Sequence, residues 1–290
     1  MKLEITGKTV LTGLIGSPVA HSISPMMHNT AFEELNLDFV YLAFDVDAEH
    51  LDSAVKGLKT LGVRGFNVTM PDKNKICDFM DELSPEARIG GAVNTVLNEN
   101  GKLKGFTTDG KGFITALKKD GIDPENRKMT LLGAGGAGIS ILVQAALDGM
   151  SEISVFNSKS TFYYRAQDII EKLKHETDCK IRLFDYSDPS ILKREIQNST
   201  ILANATPVGM SPNTDACVIA DDSVFHQDLY VFDAIYEPAK TLLLKKAENC
   251  GCRTQNGLKM LLYQGAEAFR IWTGKEMPVE IIQNKIFDRL

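Results

Sequence analysis

Residues 131–147 form a charge-free stretch of 17 residues, close to the length of a membrane span. Four glycines interrupt it, all within Gly133–Gly138. A short buried strand, a tight glycine turn and a buried helix fit this pattern better than a span. Gly133, Gly135 and Gly138 satisfy GxGxxG, after a strand expected at 129–132 and before a helix expected at 137–148. In that context the motif points to dinucleotide binding, because small residues let pyrophosphate oxygens reach amides at a helix N-terminus. A glycine turn that only packs strand on helix is the alternative. After the next strand (152–156) the chain reads Asn157-Ser158-Lys159-Ser160, with neither an acid nor an arginine at the tip. An acid there would bind a ribose hydroxyl and an arginine a 2′-phosphate. Lys159 and Arg165 are candidate phosphate contacts, so the choice between NADP and NAD stays open.

The rest of the chain alternates strands and helices, which argues an α/β fold. Strands are expected at 8–16, 38–46 and 63–69, and helices at 25–36, 48–60 and 71–82. A hairpin is expected at 92–107 around Asn100-Gly101. A helix from 111 leads to a break at Gly121–Pro124, near which a domain boundary falls. Beyond 156 the expected helices are 161–174, 189–196 and 257–272, and the expected strands 180–184, 200–204 and 229–235. In the last helix Leu258, Leu261, Leu262, Gly265, Phe269 and Trp272 share one stripe, with Gln264 off it.

Composition narrows the function classes. The 32 basic and 38 acidic residues give a net charge of −6 with no basic block, which speaks against nucleic acid as a partner. The five cysteines form no CxxC pair and the five histidines have no metal-ligand spacing. The expectation is a cytoplasmic, metal-free protein without a signal peptide or membrane span.

Several polar groups fall at expected strand ends and helix starts. Ser22 and Ser24 precede Pro25, and Ser24 also suits a plain N-cap. Asn67 and Thr69 end a strand and point the same way. Lys73 falls in the first turn of the expected 71–82 helix, where the dipole disfavours an ammonium. It is therefore either a solvated surface lysine or a lysine able to move a proton. Asn94 lies in the expected hairpin strand. Asp109 precedes a helix, either as an N-cap or as a carboxylate partner for Lys73.

Eight segments together resemble the shikimate dehydrogenase family: HSISP (21–25), GFNVTMPDK (65–73), GAVNT (91–95), TDG (108–110), GAGGAG (133–138), NATPVGM (204–210), DAIYEP (233–238) and GLKMLLYQGAEAF (257–269). They keep the family's order and span nearly the whole chain. FNSKSTFYYRA most resembles the subgroup that accepts both shikimate and quinate. The resemblance implies an N-terminal α/β substrate domain (1–112 plus 256–290), to which the C-terminal helices return, and a Rossmann-type NAD(P)-binding domain (113–255). It implies reversible reduction of 3-dehydroshikimate to shikimate, a step toward chorismate and the aromatic amino acids. Quinate would be oxidised to 3-dehydroquinate.

Lys73 matches the family's catalytic lysine and Asp109 its partner. Ser22, Ser24, Asn67, Thr69, Asn94, Tyr236 and Gln264 match substrate-binding positions. Gly133, Ala134, Gly135, Gly136, Ala137, Asn157, Ser158, Lys159, Thr206, Pro207 and Gly257 match positions at the cofactor. The chain departs from the family at Asp72, usually His, and at Thr107, usually Asn. An enzyme acting mainly on quinate and a non-catalytic nucleotide-sensing regulator are the alternatives, and the intact set of Lys73, Asp109, Asn94 and Gln264 argues against the regulator. A homodimer through an edge strand is a further expectation.

Overall fold

The apolar run near the N-terminus forms β1 (Val10–Gly16), followed by α1 (Ser24–Glu34), β2 (Phe39–Asp45), α2 (Leu51–Thr60) and β3 (Gly65–Val68). The computed structural model describes residues 4–289. After β3 the expected helix over 71–82 does not form. Residues 70–74 make turns, a 3-10 helix covers Lys75–Phe79, and β4 (Glu82–Leu83) follows. Tertiary hydrogen bonds explain the difference. Val93 N donates to Lys73 O at 2.7 Å, and Asn74 Nδ2 donates to Gly91 O at 2.6 Å. These bonds tie the segment to the chain ahead of the hairpin instead of to its own next turn.

A short helix, α3 (Pro85–Gly90), not foreseen in the sequence, leads to the hairpin β5 (Thr95–Glu99) and β6 (Lys102–Phe106). Asn94 stands one residue before β5 rather than inside the strand. The six strands form one mixed sheet in the order β2-β1-β3-β5-β6-β4. Its strand residues Ile15, Phe66, Val68, Val96 and Leu103 pack with Leu51, Val55 and Leu58 of α2.

The helix α4 (Asp109–Lys119) leads to the second series: β7 (Lys128–Leu132), α5 (Gly136–Leu147), β8 (Glu152–Phe156), α6 (Thr161–Leu173), β9 (Lys180–Phe184), α7 (Pro189–Gln197), β10 (Ile201–Asn204) and β11 (Tyr230–Asp233). Then come α8 (Leu242–Asn249) and β12 (Arg253–Gln255), both unforeseen, α9 (Leu258–Thr273), and α10 (Val279–Lys285), also unforeseen. The second sheet is wholly parallel, in the order β12-β11-β10-β7-β8-β9. Counted from β7 this is 3-2-1-4-5-6 read from the β9 edge, the doubly wound order. The chain divides into two compact units: residues up to Gly112 with those from Leu262 onward, and Phe113–Leu261. The divisions fall within α4 and α9.

In the first unit the end of α9 packs closely on the sheet. Trp272 donates its indole N–H to Val96 O at 2.9 Å. Its ring lies where a Cβ on Gly65 would be, 2.3 Å from the ring atoms. Gly65→Ala is therefore expected to destabilise the protein by about 2 kcal/mol. Urea unfolding would check this, and an unchanged midpoint would show that both Trp272 and the Val96 carbonyl, 2.5 Å from that Cβ, give way freely.

Candidate active site

The first unit gathers most of the polar residues singled out above into one hydrogen-bonded cluster. Lys73 Nζ donates to Asp109 Oδ2 at 2.7 Å, and the two side chains are 27% and 15% exposed. Such a pair is screened less than a surface pair. The other carboxylate oxygen, Oδ1, accepts from Asn94 Nδ2 at 2.8 Å. Asn94 is itself fixed, because its Oδ1 accepts from Thr108 N at 2.8 Å. Thr108 Oγ1 in turn lies 3.4 Å from Gln264 Oε1. Thus α9 brings Gln264 to a group set by the start of α4.

Two local expectations change. Asp109 is the first residue of α4, and its carboxylate serves Lys73 and Asn94 rather than capping the helix. No α-helix begins at Lys73, so the first-turn position expected for it does not exist. The neighbouring Asp72 is only 3% exposed, and its Oδ2 has no hydrogen-bond partner among the described residues.

Ser24 is the first residue of α1 and Ile23 its N-cap, with no side-chain cap bond. The Ser24 hydroxyl instead lies near the Tyr41 phenol, and Ser22 Oγ accepts from Ser24 N at 3.3 Å. Tyr41 OH donates to Asn67 Oδ1 at 2.8 Å, while Asn67 Nδ2 donates to Asn94 O and Thr95 Oγ1, both at 3.0 Å. Tyr41, Thr95 and Thr108 connect the serine end to the lysine pair, and none of the three stands out in the sequence. Their only sequence signal is a hydroxyl among apolar strand or turn residues. Burial raises the Tyr41 phenol well above its ordinary range, against the neighbouring Ser24 hydroxyl, so it acts as a neutral donor. Thr69 lies just past β3 and is partly exposed.

The second unit shapes the glycine turn. Gly133 has φ +95°, a left-handed conformation that a side chain would strain. A Cβ on Gly138 would lie 2.0 Å from Gly133 O, so helix and strand pack too closely for any side chain. Gly135 and Gly136 are different, since a Cβ on either would meet nothing within 4 Å. Packing does not require glycine there, and the open backbone at the start of α5 is what a pyrophosphate needs. This turn lies at the switch point of the sheet, between β7 and β10. Ala205 and Thr206 border it, and Ala205 N donates to Leu132 O at 2.7 Å.

The Thr206-Pro207 loop is held from below. Thr206 Oγ1 donates to Asn204 Oδ1 at 2.7 Å, and Asn204 Nδ2 donates to Asp233 Oδ1 at 3.0 Å. Burial raises the Asp233 carboxyl, against hydrogen bonds from Thr241, Ile235 N and Asn204. Asn157 Oδ1 accepts from Ala134 N at 2.9 Å, tying the β8 tip to the glycine turn. Ser158 and Lys159 continue that tip. Gly257 packs on Ala234, where a Cβ would lie 2.1 Å from the carbonyl oxygen. Tyr236 follows β11 in this unit and is exposed. Among the described residues no group of three His, Cys, Asp or Glu is placed to hold a metal ion, and no helix is long and apolar enough to cross a membrane.

A doubly wound parallel sheet with an open glycine turn, on one chain with a half-buried lysine–aspartate pair, defines an α/β dehydrogenase of the dinucleotide-dependent class. Residues 14–96 match the shikimate dehydrogenase substrate binding domain, and residues 257–287 the shikimate 5′-dehydrogenase C-terminal domain. A Listeria monocytogenes protein named shikimate dehydrogenase (NADP(+)) is 50% identical, over 98% of both chains. An Escherichia coli quinate/shikimate dehydrogenase is 41% identical, over 97% of this chain and 98% of that one. The crystal structure of Listeria monocytogenes shikimate 5-dehydrogenase in complex with shikimate and NAD superposes with a TM-score of 0.96, at 49% identity and 99% coverage of both chains. The chain belongs to the shikimate dehydrogenase family.

Proposed function

We propose that the chain interconverts shikimate and 3-dehydroshikimate with NADP or NAD, and that it also oxidises quinate to 3-dehydroquinate. The observation that carries this reading is the Lys73–Asp109 pair at 2.7 Å, braced by Asn94. The names of the Listeria and Escherichia coli relatives support it. The first unit would hold the ring acid. Ser22 and Ser24 would hold its carboxylate as neutral donors, and Asn67, Thr69, Asn94 and Gln264 would bind the carboxylate or the ring hydroxyls. Asn67 already spends both amide hydrogens inside the protein. Its part is therefore to accept at Oδ1 and to keep Tyr41 and Ser24 in register.

Lys73 moves the proton. In reduction the Nζ ammonium gives a proton to the carbonyl oxygen, and in oxidation the amine takes the hydroxyl proton. Asp109 keeps Nζ in place and binds a substrate hydroxyl. The second unit would hold the nucleotide at Gly133, Ala134, Gly135, Gly136 and Ala137, with Asn157, Ser158, Lys159, Thr206, Pro207 and Gly257 around it. The open positions at Gly135 and Gly136 fit that group. When bound, the nicotinamide supplies or accepts the hydride.

The test is the near-ultraviolet absorbance of reduced nicotinamide, with purified protein and shikimate or quinate against NAD or NADP. Turnover of shikimate with either cofactor is expected, and the rate ratios give both preferences. Four blank combinations from a folded, nucleotide-binding protein would overturn the reaction.

A further inference from the structure

The β8 tip lacks both residue types that ordinarily decide between the two cofactors, yet the adjacent strand supplies an acid beside it. Phe156 and Phe184 are paired in the parallel sheet, so the residue after β9 stands next to the tip. That residue is Asp185, whose Oδ2 lies 3.1 Å from Lys159 Nζ. The lysine is 65% exposed and the aspartate 19%. Asp185 is anchored, because its Oδ1 accepts from Ser187 N at 2.8 Å. The side-chain and backbone hydrogen bonds of Ser187, then Lys159, hold its carboxyl down at about 2, so it is charged at every working pH. The lysine is thus tethered by a fixed carboxylate. A 2′-phosphate arriving at Lys159 must displace that carboxylate or sit beside it, against like charge.

Resting on the nucleotide site proposed above, we infer that Asp185 determines cofactor choice by occupying Lys159, so that the pair weakens the preference for a 2′-phosphate that Lys159 alone would give. Asn at this position keeps an acceptor for Ser187 N and removes the charge. Asp185→Asn is then expected to strengthen binding of 2′,5′-ADP relative to ADP by about five- to tenfold, the size of one unit-charge contact near the surface. Lys159→Met is expected to reduce the salt dependence of the difference between the two ligands. In the double variant Asp185→Asn with Lys159→Met, the gain from Asp185→Asn disappears, because the acid acts through the lysine.

Calorimetric titration of the four proteins with 2′,5′-ADP and ADP at low and moderate salt reads this without turnover. The ratio of catalytic efficiencies with NADP and NAD should move in parallel. If both ligands bind but the ratio is the same in wild type and Asp185→Asn, the inference fails alone. If neither ligand binds any of the four, the nucleotide site itself fails and takes the inference with it.

Discussion

Replacing Lys73 by Ala should lower kcat for shikimate oxidation about a thousandfold and leave KM changed far less. General acid–base groups ordinarily contribute factors of this size, and the cluster offers no second group at Nζ's position to replace it. Asn94 and Gln264 are neutral amides, and the Asp109 carboxylate is held by Asn94. Asp109→Asn should also slow turnover strongly, since a carboxamide keeps the Asn94 contact but loses the charge that fixes the ammonium. Initial rates for both variants, alongside circular dichroism and nucleotide titration to show that each is folded, make the comparison. A Lys73→Ala protein that turns over at the wild-type rate would remove Lys73 from proton transfer.

The second large effect is on acid stability. His28 is fully buried in α1, stacked on Tyr41 at 4.5 Å between ring centroids and packed near Trp272 at 5.2 Å. Neither ring nitrogen has a hydrogen-bond partner among the described residues. Burial in this apolar cage pushes its imidazole from the ordinary 6.5 down to about 3. The unfolded chain therefore takes up a proton near pH 6.5, while the folded protein resists until about pH 3. Between those values the unfolded state binds more protons, so stability falls as pH falls, by about 1.4 kcal/mol per pH unit. The stabilisation is fully present above pH 6.5 and is lost toward pH 3. His28→Phe keeps an aromatic ring and removes the titration. Urea unfolding from neutral pH to about pH 4.5 should show wild type losing roughly 2–3 kcal/mol more than the variant. Equal losses would mean that the buried imidazole is not the acid-sensitive group. Because Tyr41 carries the hydrogen bond to Asn67, the same protonation should loosen the serine end of the site.

What could be read along the chain follows the range of the forces. The glycine turn was legible because its strand, its close packing and its helix are consecutive, and each needs a residue type that sequence displays. The Lys73–Asp109 partnership was one of two alternatives for each residue, and choosing between them needs β3, the hairpin and α4 assembled. Ser24 shows why local rules fall short. A serine before proline satisfies the N-cap pattern, yet α1 already includes Ser24, and its hydroxyl makes no cap bond. The helix expected at 71–82 fails for a related reason, because Val93 takes the Lys73 carbonyl for a tertiary bond.

By itself the sequence determined the α/β alternation, the dinucleotide turn and the residue types able to move a proton, since these rest on hydrophobic period and on local backbone demands. The resemblance to a family added the substrate. Only the tertiary structure decided that Tyr41, Thr95 and Thr108 join the serines to the lysine pair, that His28 lies unpartnered among aromatic rings, and that Asp185 from a neighbouring strand meets Lys159. Those contacts span tens of residues or more along the chain. Their energies depend on burial and exact distance, neither of which any local pattern of residues carries.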